Sequence, residues 1–285
     1  MELSYVSALV LGVVEGLTEF LPVSSTGHLT IAEKLLGLRV DAPVVTAYTA
    51  IIQVPAILAT FFYFWAKIWR LLTAWVRGLL HTEARTEHDY TLAWAVIVGS
   101  IPVGIVGFVL KDVISGALRS LWVVAIALVL WSGVMWYAER RHDERSREGS
   151  VRSEADFTIK DGLVIGLWQC VALVPGVSRS GATISAGLIR GIDRVSATEL
   201  SFFLAIPALT AAGIFESVQA RHDLASLGMG PMVLGCVVSF AVAYASIAWL
   251  LRFVANNSLR SFVSYRVVLG LGLMVALGTG VMTAT

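Results

Sequence analysis

Charge is what this chain has least of. Only 14% of its 285 residues are Asp, Glu, Lys or Arg, where soluble domains carry about a quarter. Hydrophobic residues make up 57% of it, and mean hydropathy is +0.79. These values exclude an ordinary soluble domain and define an integral membrane protein. A net charge of +1 leaves no basic surface for nucleic acid, so no nucleic-acid partner is expected. Cysteine is nearly absent: Cys170 and Cys236 both lie in apolar stretches. Their spacing fits no zinc site and argues against a structural disulfide. The N-terminus lacks a basic n-region and a small-residue cleavage site, so a removable signal peptide is not expected.

Long apolar runs are present instead. Six reach spanning length, at 43–66, 91–110, 119–137, 199–216, 231–251 and 264–282; a span needs about 20 residues. Residues 3–14 and 162–175 are too short to cross, and each runs into a Pro- and Gly-broken, hydroxyl-rich turn. Irregular backbone at membrane depth is tolerated only where protein or a watery cavity surrounds it. The spacing predicts two re-entrant helix hairpins lining a cavity.

The two hairpins are copies. Glu15-Gly-Leu-Thr-Glu19-Phe-Leu-Pro-Val-Ser24-Ser25-Thr26-Gly27-His28 aligns without a gap with the segment from Gln169 to Ala182, at an offset of 154 residues. The Val-Pro55-Ala and Ile-Pro207-Ala segments match at an offset of 152. Each half then has one hairpin and three spans. An odd span count inverts the second half, so an all-α fold of two inverted-topology repeats is expected: 1–137 and 161–285, within one membrane domain 1–285. Residues 138–160, rich in charge, read as a solvated connector. Residues 81–90 hold His81, Glu83, Glu87, His88 and Asp89. Metal ligands must converge, which this spacing does not imply, so this too reads as a solvated loop.

Lys and Arg placement orients the chain. Fifteen fall on one side, Arg266 among them. Five fall on the side of the termini: Lys34, Arg39, Lys111, Arg119 and Arg221. The positive-inside rule then puts both termini outside.

Ionisable groups inside a membrane are costly and mark function by default. Glu15 and Glu19 share a helix face. Two adjacent carboxylates suit a hard cation such as Mg²⁺ or Ca²⁺, or general-base work. Ser24, Ser25, Thr26 and His28 combine hydroxyls with an imidazole, the parts of an activated nucleophile. Arg179 calls for an anion, and its planar fork matches phosphate oxygens. Ser178, Ser180 and Thr183 add donors beside it, as do Ser24 and Thr26 in the first copy. The copies are lopsided: Arg179 aligns with Ser25, Gln169 with Glu15, and Ala182 with His28. One copy carries the acid, base and nucleophile candidates; the other carries the cation.

The Glu15–His28 motif, followed by Pro175-Gly-Val-Ser-Arg179-Ser-Gly-Ala-Thr183, resembles the undecaprenyl-diphosphate phosphatase family, also called the bacitracin-resistance protein family. The resemblance covers essentially the whole chain. It implies removal of one phosphate from a C55 polyprenyl diphosphate, which recycles the lipid carrier for peptidoglycan synthesis. It also implies divalent-cation dependence, a place in the bacterial inner membrane, and a site open to the periplasm. On that reading Ser25 attacks phosphorus, His28 takes its proton or protonates the leaving oxygen, and Glu19 assists; direct attack by water is the rival. Inverted repeats also suit a transporter or flippase for an anionic lipid. The sequence leaves open whether the chain forms a homo-oligomer.

Overall fold

The computed structural model describes residues 3–40, 42–116, 118, 120–219 and 228–284. The described residues are helical throughout, apart from turns and one isolated bridge between Arg152 and Ile192. In chain order the helices are α1 (Tyr5–Thr18), α2 (Ser25–Leu35), α3 (Pro43–Tyr63), α4 (Trp65–Leu80), α5 (His88–Val109), α6 (Lys111–Ser115), α7 (Leu121–Arg147), α8 (Ile159–Gln169), α9 (Arg179–Ile189), α10 (Arg194–Gln219), α11 (Met229–Asn256) and α12 (Arg260–Gly278).

Six of them, α3, α5, α7, α10, α11 and α12, are long and apolar enough to cross a membrane. They match the six expected spans to within a few residues, except that α7 runs ten residues further. The chain is a multi-pass membrane protein. Pro55, Pro102 and Pro207 sit inside α3, α5 and α10, where neighbouring helices in a bundle re-satisfy freed backbone groups.

Four further helices are short: α1 has 14 residues, and α2, α8 and α9 have 11 each. The first helix of each pair docks through small residues. A Cβ on Gly12 would sit 2.8 Å from the Gly235 carbonyl of α11, and one on Gly166 would sit 1.9 Å from the Gly99 carbonyl of α5. With Gly16 and Gly162 one turn away, both helices use the small-x-x-x-small packing of membrane bundles. Close docking here fixes where α1 and α8 lie against α11 and α5.

Three expectations need correction. Lys67, Arg70 and Arg77, three of the fifteen counted as loop charges on the basic side, lie on a helix, because Trp65–Leu80 form α4. Trp65, Trp69, Leu72, Val76 and Leu79 make an exposed apolar stripe on it. Lys67 on the same helix pairs with Glu154 and Glu199. An apolar stripe at helical spacing beside charged residues folds as an amphipathic helix.

The connector 138–160 is not a uniformly solvated linker either. Its first ten residues extend α7, and Glu139 is fully buried. Arg194 donates to the Glu139 carboxylate at 2.6 Å, and the Leu259 amide donates at 2.8 Å. Asp161, just after the connector, is buried and receives Arg152 at 2.9 Å and Arg190 at 2.8 Å. Burial opposes its ionisation. Hydrogen bonds from Arg152, Thr158 and Arg190 outweigh that and hold its carboxyl well below the usual carboxylate range. Charge in this segment is matched by charge elsewhere, which sequence distance hides.

Arg266 is the third. It belongs to no loop on the basic side: it lies within α12 and is fully buried. Removing it leaves the basic asymmetry in place. Arg119 and Arg221, counted on the other side, lie outside the described residues. The 81–90 segment forms a short 3₁₀ turn over Thr82–Thr86. Its Asp89 pairs with Arg70 at 2.7 Å and its Glu87 with Arg77 at 3.4 Å.

Candidate active site

The two turns have the same backbone. Ser24 has φ 78° and Ser178 has φ 76°, the only non-glycine residues with positive φ among the described residues. L-residues rarely adopt that region, and such strain concentrates at functional sites. Each serine caps the helix that follows. The Gly27 amide donates to Ser24 Oγ at 3.4 Å, and the Gly181 amide donates to Ser178 Oγ at 3.2 Å. The aligned residues Ser25 and Arg179 are therefore the first residues of α2 and α9. A helix N-terminus presents unpaired amides and a positive dipole end, both suited to an anion.

Glu19 joins them. It sits at the end of α1, its amide donating to the Glu15 carbonyl at 3.0 Å. Ser25 Oγ donates to Glu19 Oε2 at 2.6 Å. Arg179 Nη2 lies 3.4 Å from Glu19 Oε1 and donates to the Glu19 carbonyl at 3.4 Å. Its Nη1 donates to the Ser201 carbonyl of α10 at 3.0 Å. Its Nε is buried and has no hydrogen-bond partner among the described residues. The Phe20 ring lies beneath the guanidinium, 6.0 Å from its centroid. Glu15 is fully buried one turn before Glu19, and its charge also acts on Arg179.

The other hydroxyls divide. Ser24 and Ser178 serve as caps. Ser180 is fully buried and donates to the Leu21 carbonyl at 3.0 Å, tying the second turn to the first. Thr183, also fully buried, donates to the Arg179 carbonyl at 2.9 Å and meets the Ser201 hydroxyl at 2.7 Å. Thr26 is exposed on the first turn of α2. Sequence spacing grouped these residues; the structure shows most of them shaping the turns.

His28 is not bonded to Ser25. Its Nδ1 lies 2.7 Å from the Ser24 carbonyl and its Nε2 lies 2.6 Å from the Tyr265 hydroxyl. A carbonyl only accepts, so Nδ1 carries the proton and Nε2 keeps its lone pair. The Ser25 hydroxyl is therefore paired with the Glu19 carboxylate and not with the His28 imidazole.

Three site residues escaped the sequence reading. Arg266 Nη1 donates to the Pro22 carbonyl at 3.2 Å, and its Nη2 donates to the Gly176 carbonyl at 2.9 Å. Pro22 and Gly176 are themselves 154 apart, so one arginine clasps the same carbonyl in both turns. An arginine inside an apolar run was the available signal; it was assigned to the edge of the span. Tyr265 and Ser201 gave no signal, being ordinary span residues.

Among the described residues, no three His, Cys, Asp or Glu gather as a metal cluster. The donor chemistry of Glu15 and Glu19 nevertheless suits a hard cation. Mg²⁺ is commonly held by one or two carboxylates, with waters and substrate phosphates completing its shell.

Fold and site together define a multi-pass membrane protein with a half-buried serine–glutamate–arginine centre between two matching turns. The chain belongs to the bacitracin resistance protein family, matching Bacitracin resistance protein BacA over residues 8–272. It is 54% identical over 290 residues to the undecaprenyl-diphosphatase of Cutibacterium acnes, covering 99% of this chain and 100% of that protein. It is 54% identical to undecaprenyl-diphosphatase 3 of Frankia casuarinae over 99% of this chain and 100% of the relative. Undecaprenyl-diphosphatase 1 of Streptomyces coelicolor is 52% identical over 96% of each.

Proposed function

We propose that this chain hydrolyses undecaprenyl diphosphate to undecaprenyl phosphate and inorganic phosphate. That returns the lipid carrier to peptidoglycan synthesis and gives resistance to bacitracin. The observation that carries the reading is the 2.6 Å bond from Ser25 to Glu19, with Arg179 beside the same carboxylate.

Arg179 binds the terminal phosphate through its guanidinium, whose Nε has no other partner, and the N-termini of α2 and α9 add positive dipole ends. Ser25 Oγ attacks the terminal phosphorus, its proton passing to Glu19 Oε2. The bond from phosphorus to the bridging oxygen breaks, and undecaprenyl phosphate leaves with that electron pair. A phosphoserine remains. Water attacks it, His28 Nε2 takes the water's proton, and Ser25 Oγ recovers its proton from Glu19 as phosphate departs. Phosphoryl transfer needs positioning and charge stabilisation more than covalent chemistry, which fits this donor set. Glu15 and Glu19 would hold a divalent cation, Mg²⁺ or Ca²⁺, which would neutralise phosphate charge when bound.

The four hairpin helices fall short of the length a bilayer needs, which supports re-entrant hairpins in two inverted repeats, 1–137 and 161–285. The basic asymmetry supports outward termini and a site facing the periplasm across the bacterial inner membrane. Ser24, Thr26, Ser178, Ser180 and Thr183 support the phosphate cradle, chiefly through the turns they shape.

Phosphate release from undecaprenyl diphosphate by purified protein in detergent, where no compartments exist, tests the reading. Release that depends on Ser25 is the expected result. Absence of release with Mg²⁺ or Ca²⁺ present would favour transport of an anionic lipid.

A further inference from the structure

Helix α12 meets the site at two successive residues. Arg266 holds the helix to both turns through the Pro22 and Gly176 carbonyls and also donates to Ser132 Oγ at 3.3 Å. It is fully buried, so these bonds fix where α12 lies against the hairpins. The residue before it, Tyr265, faces His28. The two rings stack with centroids 5.6 Å apart and planes 13° from parallel. Because Nδ1 donates to the Ser24 carbonyl, the hydroxyl 2.6 Å from Nε2 must be donating to it. His28 is thus held at both nitrogens and across one face.

We propose that Tyr265 is a positioning residue for His28, setting the plane of the imidazole and the line of its Nε2 lone pair. This rests on the phosphatase reading, in which His28 takes the proton of the water that cleaves the phosphoserine. Stacking fixes the plane. The phenol O–H holds the Nε2 lone pair on line until the water's O–H replaces it there in that step. Without the phenol, the Ser24 carbonyl alone orients the ring, and rotation about the Cβ–Cγ bond carries Nε2 off line. Aligned groups contribute through exact placement, so a loosened ring lowers turnover more than binding.

Tyr265→Phe keeps the ring and removes only the hydroxyl. With undecaprenyl diphosphate, kcat should fall about three- to tenfold, the worth of one hydrogen bond, while KM stays within about twofold. In a His28→Ala background the same substitution should have no further effect on kcat, because Tyr265 acts through His28. The imidazole ¹⁵N signals of His28, assigned by their loss in His28→Ala, should show the Nδ1–H form in both proteins, with the Nε2 signal displaced in Tyr265→Phe by loss of the phenol's hydrogen bond. An unchanged or raised kcat in Tyr265→Phe overturns the proposal, as does an equal loss with and without His28. These outcomes leave the phosphatase reading standing, since the parent protein still releases phosphate. A parent protein that releases none sinks that reading, and unchanged ¹⁵N signals in Tyr265→Phe would then overturn the positioning role separately.

Discussion

Ser24 and Ser178, 154 residues apart, hold the same rare backbone conformation and cap their helices in the same way. The duplication is therefore preserved where it costs most, in a strained turn. What differs is the next residue: Ser25 after the first, Arg179 after the second. Two matching turns deliver a hydroxyl and a cation to one carboxylate, Glu19.

That convergence predicts the largest losses of activity. Ser25→Ala removes the proposed nucleophile, and Glu19→Gln removes the proposed acceptor of its proton. Each should lower phosphate release about 100-fold or more. Rapid-quench trapping should find phosphoserine in the parent protein, and a near-normal rate in Ser25→Ala would refute the covalent route.

Arg179→Lys keeps the charge but loses the planar fork. Its Nη1 bond to the Ser201 carbonyl and its unpartnered Nε cannot both be replaced by one ammonium. Activity should fall roughly tenfold to 100-fold, with most of the change in kcat/KM. Parent-like kinetics in this variant would show that the fork is not what holds phosphate.

Arg266→Met should weaken the fold rather than only the chemistry. The Pro22 and Gly176 carbonyls would be left buried without their donor. Two such losses cost about 2–4 kcal/mol. Thermal unfolding in detergent should show a clear fall in Tm, and an unchanged Tm would contradict the clasp.

Helix docking can be tested at single glycines. Gly166→Ala places a Cβ 1.9 Å from the Gly99 carbonyl, so the α8–α5 contact must open, at about 1–3 kcal/mol. Gly104→Ala on α5 meets nothing within 4 Å and should leave Tm nearly unchanged. Equal effects at the two positions would argue against close packing of α8 on α5.

Asp161 gives a pH dependence. Its carboxyl is held below the usual range by Arg152, Thr158 and Arg190 despite burial. A carboxylate with a depressed folded pKa stabilises fully above its unfolded value, about pH 4. That contribution fades as pH falls below this and on through the folded pKa. The Tm gap between the parent protein and Asp161→Asn should be widest near neutrality and narrow in acid. A gap independent of pH would rule out the ionised pair as its source.

Much was legible in the sequence, because it depends on short-range pattern. Apolar run length set the six spans, since a bilayer has a fixed thickness. The 154-residue offset exposed the paired turns, and Glu19 and Arg179 announced themselves as ionisable groups in apolar segments. Three things needed tertiary structure. Ser25 could have faced His28 or Glu19, both within a few residues; the turn at Ser24 decided for Glu19. The charged connector looked solvated until Arg194 and Arg190 arrived from other helices to match Glu139 and Asp161. Tyr265 and Arg266 lie some 240 residues from the first turn, and only the packing of α12 brings them there. Sequence determines what a segment must bury; the partner it is buried against is chosen by long-range packing, and here that choice assigns each ionisable group its neighbour.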